Sequence, residues 1–232
     1  MNRHSAEDSP DFDPLARVYR WMEFFSFGPL LARCRFCYLA QASDLRRILV
    51  LGDGDGRYTQ RLLQLNPQVH ITAVDSSRAM LAALQRRAAA VGAANRITLV
   101  HQDLRSFTPD SCFDAVVTHF SLDCLTEAAI EGLVTRILPS LNSGSLWIVS
   151  EFAIPAGRAR AAAARILIGF LYFAFRVLTG LRTQQLPNYA EILVRHGFRR
   201  TDYSQWLGGL LTAEVWSLEP LTPHRTSDGI IL

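Results

Sequence analysis

The stretch VLGDGDGRYTQRLL, residues 50–63, constrains the fold more than any other part of the chain. An apolar run, RRILVLG (46–52), leads into a glycine-rich turn, and residues 57–65 then show helical periodicity. A strand that passes through such a turn into a helix is typical of the first unit of a parallel βαβ arrangement. The chain has 232 residues, of which 49% are hydrophobic, so it can bury the core that a covered sheet needs.

Strand and helix patterns alternate after this first unit. They predict helices at 77–91 and 126–138, and strands at VHITAVD (69–75), RITLVHQD (96–103), FDAVVTHF (113–120) and SLWIVSEF (145–152). Residues 197–220 predict two further strands joined at Gly208-Gly209, which is a hairpin signal. We therefore predict an α/β fold: a doubly wound, mostly parallel sheet with an antiparallel C-terminal hairpin, an N-terminal helical cap and an inserted apolar helix.

We expect one domain over residues 1–232. Its predicted parts are an N-terminal helical cap (1–42), a cofactor-binding core (46–152), an apolar helical lid (153–190) and a C-terminal helix with the hairpin (191–219). The polar, acidic N-terminus predicts no signal peptide. The apolar run ILIGFLYFAF (166–175) is shorter than the about 20 residues that a membrane span requires. We expect a cytoplasmic protein, at most peripheral to the inner membrane face.

The two carboxylates of the glycine loop, Asp53 and Asp55, narrow the choice of ligand. The N–H groups of such a loop usually hold a pyrophosphate, which two negative charges would repel. S-adenosylmethionine instead presents a sulfonium and an ammonium group, which acidic residues suit. The dinucleotide fingerprint also fails, because Thr59 stands at its third glycine position. An NAD(P)-dependent oxidoreductase is therefore the weaker alternative.

Two further acidic residues indicate an adenosine site. Asp75 ends the second predicted strand, where a carboxylate can accept hydrogen bonds from both ribose hydroxyls. Asp103 follows the third strand and is placed to receive the adenine amino group. Met80, on the next helix, can pack against the adenine face.

The segments VLGDGDG, AVDSSRAML, HQDL and FDAVVTHFSLDCL, in this order and before the hairpin, resemble a class I S-adenosylmethionine-dependent methyltransferase over residues 46–218. The segment FDPLARVYRWMEF (12–24) is similar to the opening of the ubiquinone/menaquinone-biosynthesis type. The resemblance implies a Rossmann-like, mostly parallel, seven-stranded sheet with its last strand reversed. It also implies cofactor contacts at Tyr19, Gly52, Asp53, Gly54, Asp55, Gly56, Asp75, Ser76, Met80, Gln102, Asp103, Leu104, Thr118, His119 and Phe120.

The sequence departs from that family at two positions. Gly52 stands where an acidic residue is usual, and Tyr58 stands where a third glycine is usual. The acidic role at the methionine end of the cofactor must then pass to Asp53 or Asp55, and the sequence does not decide between them.

Candidate catalytic residues follow the fourth and fifth strands. Methyl transfer is an in-line displacement, which needs a general base only if the acceptor must lose a proton. We rank His119 first as that base, because histidine titrates in the useful range, and we add Asp123 and Glu151. The alternatives are a histidine satisfied by backbone groups and, for Asp123, a cap on the helix that begins near Thr126.

The segment before the hairpin bears on the acceptor. Helical periodicity places Arg158, Arg165, Tyr172 and Arg176 on one narrow face, and residues 166–178 are otherwise apolar. Such a helix forms a lid under the N-terminal helices or lies on a membrane surface; a core helix or a dimer interface is the simpler alternative. The first two options favour a small lipophilic acceptor, such as a quinol, a quinolone or another aromatic or acyl compound, with O- or C-methylation.

We expect no nucleic acid partner, because the net charge is only +3 and the Asn/Asp-Pro-Pro-aromatic element of amino-methyltransferases is missing. Peripheral membrane contact through 158–178 and a homodimer are left open. We predict no metal site, since Cys34-x-x-Cys37 is one pair and zinc needs about four ligands. A second class of function also stays open: a scaffold with the methyltransferase fold but without turnover.

Overall fold

The computed structural model describes residues 29–179 and 186–219, with backbone alone for residues 170–179. Seven strands form one sheet: β1 (Arg47–Leu51), β2 (His70–Asp75), β3 (Ile97–His101), β4 (Phe113–His119), β5 (Leu141–Phe152), β6 (Phe198–Trp206) and β7 (Leu211–Leu218). Their order is β3-β2-β1-β4-β5-β7-β6. Strands β1 to β5 are parallel, and β7 runs antiparallel to both β5 and β6. The predicted fold class, including the C-terminal hairpin, is confirmed.

Among the described residues, six α-helices connect or flank the strands: α1 (Pro29–Phe36), α2 (Arg57–Leu65), α3 (Arg78–Ala90), α4 (Glu127–Ile137), α5 (Arg158–Thr179) and α6 (Tyr189–Arg195). A short 3₁₀ helix, Leu39–Ala42, follows α1. Side-chain caps set three of the helix starts, because the oxygens of Ser77, Thr126 and Asn188 each accept a backbone N–H three residues ahead.

The core has two layers, one on each face of the sheet. Trp147 and Phe198 pack edge to face in the layer beneath α4 and α6, with a distance of 5.7 Å between ring centroids. Tyr58 and Leu62 of α2 fill the opposite layer. Central strands are therefore buried on both faces, which explains why RILVL and FDAVVTH read as nearly continuous apolar runs.

Element boundaries differ from the sequence-based expectations in ways that have local causes. Strand β5 begins at Leu141 instead of 145, because its first residue pairs with Phe113 before a bulge shifts the register. Strand β3 ends at His101, because the Asp103 carboxylate accepts the N–H of Arg105 and turns the chain. The predicted cofactor contact Tyr19 lies outside the described residues.

Candidate functional site

The candidate site lies at the carboxyl ends of the central strands. Strand β1 has β2 on one side and β4 on the other, so the chain leaves the sheet in opposite directions on either side of β1. In such sheets the crevice outside the carboxyl ends of the strands at this switch point is the usual ligand site. The glycine loop, residues 52–56, forms one wall, and residues 119–124 form the other.

At Gly52 the glycine loop is in close contact with the loop after β4. A Cβ built on this residue would lie 2.9 Å from the Cβ of Ser121, closer than two side-chain carbons can approach, and its φ of +70° also favours glycine. The Ser121 hydroxyl donates a hydrogen bond of 3.0 Å to the carbonyl of Leu51. The space that an acidic side chain would need at position 52 is therefore taken by the loop after β4.

Asp53 has one carboxylate oxygen engaged and one without a hydrogen-bond partner. Its Oδ2 accepts the backbone N–H of Thr59 at 2.8 Å, in the first turn of α2, whereas Oδ1 is buried and unpaired. Burial raises the pKa of Asp53 to about 6, and the Thr59 N–H opposes that rise. A buried acceptor with spare capacity is what an ammonium group requires.

The carboxylate of Asp55, unlike that of Asp53, is paired with arginine side chains. Its Oδ2 forms ion pairs with Arg57 at 3.1 Å and with Arg87 of α3 at 2.7 Å. Arg87 also donates to the carbonyl of Asp55. This carboxylate therefore ties the glycine loop to α2 and α3, which leaves Asp53 as the better candidate for a cationic ligand.

The raised pKa of Asp53 predicts that cofactor affinity depends on pH. An ammonium group binds the ionised carboxylate, so we expect the affinity for S-adenosylhomocysteine to be full at about pH 8 and to be lost as the pH falls through about 6. Asp53→Asn should weaken binding about 10- to 100-fold and flatten this dependence, because it removes a charge-assisted hydrogen bond. Calorimetric titration measures both effects.

Asp55→Asn is the matched control for this prediction. It removes a carboxylate from the same loop but one that is already paired with Arg57 and Arg87. If Asp55→Asn weakened binding more than Asp53→Asn, the assignment of the ammonium contact to Asp53 would be wrong.

The predicted adenosine residues lie beside the crevice at the ends of β2 and β3. Asp75 closes β2, and its Oδ1 accepts the N–H of Ser77 at 2.8 Å, so the turn through Ser76 is well defined. Met80 is buried in the first turn of α3. These residues are placed as an adenosine site requires, and their contact with a cofactor stays a prediction.

Asp103 is engaged by its own loop. Arg105 donates to its Oδ1 through the backbone N–H and to its Oδ2 through Nη2, at 2.8 Å and 2.7 Å. Gln102 donates from its amide to the carbonyl of Ser106, and Leu104 packs against the α4 layer of the core. An adenine amino group would therefore have to share the Asp103 carboxylate with Arg105.

Two residues at the end of β4 have distinct surroundings. Thr118 is fully buried, and its hydroxyl accepts a hydrogen bond of 3.1 Å from the Trp147 indole, so its side chain serves the core. Phe120 adopts a positive φ of 54°, which is rare for a residue with a side chain. Its ring lies 5.3 Å from that of Phe152, and the Arg35 guanidinium lies 5.8 Å from its centroid.

His119 is buried and has no hydrogen-bond partner at either ring nitrogen. Its ring packs edge-on against Tyr58, with centroids 4.4 Å apart. Burial, followed by the nearby positive charge of Arg35, lowers the pKa of His119 well below its usual value. The imidazole is therefore neutral near pH 7, and its protonated form is disfavoured. The alternative of a histidine satisfied by backbone groups does not hold in this structure.

Asp123 and Glu151 form a buried carboxyl pair. The Oε1 of Glu151 accepts the N–H groups of Ser121 and Leu122 at 3.0 Å and 2.8 Å, while its Oε2 is buried without a partner. Burial, and then repulsion from Asp123, raises the pKa of Glu151 well above its usual value. Burial also raises the pKa of Asp123 to about 6. Thr126 itself caps α4, so Asp123 is not the cap of that helix.

The three candidate catalytic residues point to opposite faces of the sheet. The residues that precede His119 at two-residue steps, Ala115 and Val117, belong to the layer beneath α2 and α3. Those that precede Glu151 in the same way, Trp147 and Val149, belong to the layer beneath α4 and α6. Because side chains alternate along a strand, His119 lies on the first face and Glu151, with Asp123, on the second.

Arg35 and Ser121 were not predicted from the sequence. Arg35 is a buried arginine of α1, and its positive charge acts to lower the pKa of both His119 and Asp53. Ser121 joins the loop after β4 to β1 and to Glu151. Neither belongs to a pattern of the chain, since the residues on which each acts lie in other loops and strands of the fold.

The Cys-x-x-Cys pair is split by the fold. Cys34 is buried, its thiol donates to the carbonyl of Thr212, and burial raises its pKa to about 12, while Cys37 is exposed.

Over residues 29–179 and 186–219 no group of three or more His, Cys, Asp or Glu side chains is arranged to hold a metal ion. Within those same ranges, no helix combines the length and hydropathy needed to cross a membrane.

Comparison with known proteins gives a consistent result. A family model described as a methyltransferase domain matches residues 48–144. Trans-aconitate 2-methyltransferase of Acidovorax sp. (strain JS42) is 32% identical over 104 residues, which are 45% of this chain and 37% of that protein. The chain thus spans little more than a third of the length of the curated relatives it matches.

Solved structures show the same fold. An O-methyltransferase family protein from Burkholderia thailandensis superposes with a TM-score of 0.66 at 12% identity, covering 88% of this chain and 59% of that one. The N-methyltransferase NodS from Bradyrhizobium japonicum WM9, in complex with S-adenosyl-L-homocysteine, has a TM-score of 0.55 at 12% identity and covers 82% and 85%.

The family match and the curated methyltransferases support the predicted class, the class I S-adenosylmethionine-dependent methyltransferases. The closer likeness to the ubiquinone/menaquinone type is not supported by these matches and stays a prediction.

Proposed function

We propose that this chain is an S-adenosylmethionine-dependent methyltransferase that methylates a small, lipophilic acceptor by in-line displacement. The crevice between the glycine loop and the loop after β4 is where the fold provides a ligand site. The observation that carries the proposal is the buried, unpaired Oδ1 of Asp53 in that loop, which suits a cationic ligand and opposes a pyrophosphate. When bound, S-adenosylmethionine supplies an electrophilic methyl group on its sulfonium.

The residues present fit this cofactor from end to end. Asp53 would accept the ammonium group of the methionine end, and Asp75 would accept the ribose hydroxyls. Met80 would pack on the adenine ring, and Asp103 would receive its amino group alongside Arg105. The role left open between Asp53 and Asp55 goes to Asp53, because the charge of Asp55 is already balanced by two arginines.

The carboxyl pair of Glu151 and Asp123 is the better proton acceptor. A general base works best when its pKa lies near the working pH, and the pKa of Asp123, about 6, is close to that range. Glu151 has one oxygen anchored by two N–H groups and the other unpaired, so it can accept a proton without losing its position. His119 is the weaker base, because burial beside Arg35 disfavours its protonated form. We assign His119 to contact with the acceptor.

The acceptor wall is aromatic. The rings of Phe120 and Phe152 lie 5.3 Å apart at the ends of β4 and β5, and Phe152 lies on the same face of the sheet as His119, because Ser150, two residues before it, pairs with His119. A flat acceptor can pack on such rings beside His119, and its ionisable hydroxyl or activated carbon would have to extend past the strand ends to reach the carboxyl pair. A quinol, a quinolone or another aromatic or acyl compound meets these requirements, and the O-methyltransferase neighbour is consistent with transfer to oxygen.

Binding of S-adenosylhomocysteine, with NADH in parallel, tests this proposal. We expect micromolar affinity for the first ligand and none for the second, by calorimetry. Asp75→Ala should weaken binding about 10- to 100-fold, since it removes hydrogen bonds to a charged acceptor. Asp110→Ala is the control, because Asp110 is an exposed carboxylate in the loop before β4.

Three results would lead to other conclusions. Binding of NADH alone would make the chain an oxidoreductase. Unchanged affinity in Asp75→Ala would show that the adenosine site is misplaced. Binding of S-adenosylhomocysteine without methyl transfer to any quinol, phenol or acyl acid would favour the scaffold alternative.

A further inference from the structure

Helix α5 presents an apolar side chain on its outward face. Ala164 and Ile168 are buried against Leu210 of the hairpin turn, so this side of the helix packs on the domain. Ile166, which helical geometry places opposite those two residues, is 76% exposed. An isoleucine this exposed at the centre of an outward helix face has no packing role in the described structure.

Basic residues flank this position, and helix α5 itself contains no acidic residue. The 22 residues of α5 include four arginines and neither aspartate nor glutamate. Arg158, Arg160 and Arg165 have exposed side chains. The helix continues as FLYFAFRVLT, which adds four aromatic residues to the composition of the element.

The hairpin turn borders α5 on the side where the helix packs on the domain. The Arg160 side chain lies 3.5 Å from a Cβ built on Gly208, so the first turns of α5 lie beside the turn between β6 and β7. Leu207 in that turn is 48% exposed, and Ile154, just before α5, is 39% exposed. We define the α5 face by its apolar and basic members on the outward side: Ile154, Arg158, Arg165 and Ile166.

We propose that the α5 face docks on an anionic phospholipid surface. Apolar side chains flanked by arginines match the boundary between acyl chains and phosphate groups. A second copy of the chain fits less well, because a symmetric contact would bring this arginine-rich face against itself with no acidic residue on the helix to pair with. The docking is independent of methyl transfer, although it would bring a lipophilic acceptor close to the crevice.

Co-sedimentation of the full chain with lipid vesicles tests the proposal. We expect binding to vesicles of phosphatidylglycerol and phosphatidylcholine, and at least about tenfold weaker binding to phosphatidylcholine alone. The double variant Arg158→Glu/Arg165→Glu should bind anionic vesicles at least about tenfold more weakly, and Ile166→Ser should also reduce binding. Arg86→Glu on α3 and Val194→Ser on α6, both exposed, are the matched controls and should bind as the wild type does.

The proposal fails if wild type does not bind anionic vesicles, or binds neutral and anionic vesicles equally. It also fails if the control variants lose as much binding as the α5 variants. Sedimentation velocity tests whether a second copy of the chain covers the α5 face instead. If wild type were a dimer that Ile166→Ser dissociates, and did not bind vesicles, the face would be a contact between two copies. Unchanged affinity for S-adenosylhomocysteine in each variant verifies its fold and separates docking from the proposed activity.

Discussion

Glu151→Gln is expected to lower kcat for methyl transfer about 10²- to 10⁴-fold while leaving the affinity for S-adenosylhomocysteine nearly unchanged. The amide oxygen of glutamine can still accept the N–H groups of Ser121 and Leu122, so the loop after β4 stays in place. The amide cannot take up a proton, however, so only the base is lost. Single-turnover kinetics with a phenolic acceptor, together with calorimetry, separates the two effects.

The same variant should be more stable than wild type at alkaline pH. The carboxyl pKa values of Asp123 and Glu151 are raised in the folded state, so the stability they contribute is full at low pH and is lost as the pH rises through the folded-state values, of which that of Asp123 is about 6. Removing one member removes the repulsion between two buried charges. We expect a higher Tm for Glu151→Gln than for wild type at about pH 8, and a smaller difference at about pH 5.

Glu214→Gln is the matched control for the turnover measurement. Glu214 is a buried glutamate of β7 on the same face, but it is hydrogen-bonded to Trp216 and Arg200. Its variant should keep turnover close to that of wild type. If Glu151→Gln turned over normally while His119→Asn did not, the base would be His119 and our assignment would be wrong.

Gly56→Ala is expected to lower the free energy of unfolding by about 2–5 kcal/mol. A Cβ at this position would lie 2.7 Å from both Cα and Cγ of Leu84, so α3 would have to move away from the glycine loop. The backbone φ of +82° adds the strain of a left-handed conformation. Urea unfolding followed by circular dichroism measures the loss.

Gly92→Ala separates the two causes. Gly92 also has a positive φ, +69°, but a Cβ there would meet nothing within 4 Å. Gly92→Ala should therefore lower the free energy of unfolding by only about 1–2 kcal/mol, from backbone strain alone. If the two variants lost the same free energy of unfolding, the close contact between the glycine loop and α3 would not contribute to the destabilisation.

Much of the fold could be predicted from the sequence because its signals are local. Apolar runs of strand length alternate with helical periodicity from Arg46 to Phe152, and parallel strands buried on both faces allow few other arrangements. The pair Gly208-Gly209 predicted the hairpin turn, which the structure places at Leu207–Gly209. The start of β5 could not be predicted, because it depends on pairing with Phe113 across a bulge.

The site was predicted only as a set of residues. Which carboxylate of the glycine loop is available to a ligand depends on Arg87. This residue belongs to α3, the second helix after that loop, and strand β2 lies between them in the chain. Similarly, the reason for glycine at position 52 is the Cβ of Ser121, which arrives from the loop after β4. Contacts between segments so far apart leave no periodic trace in the sequence.

By itself, the sequence determined the succession of strands and helices along the chain, the glycine loop and the acidic residues at the strand ends, because periodicity and turn chemistry act over a few residues. Only the tertiary structure decided that His119 and Glu151 lie on opposite faces, that Arg35 sits near His119, and that Ile166 faces outward. Burial and charge at each of these positions come from elements distant in the chain. Those long-range contacts, and not the residue types alone, set the pKa values on which the proposed chemistry depends.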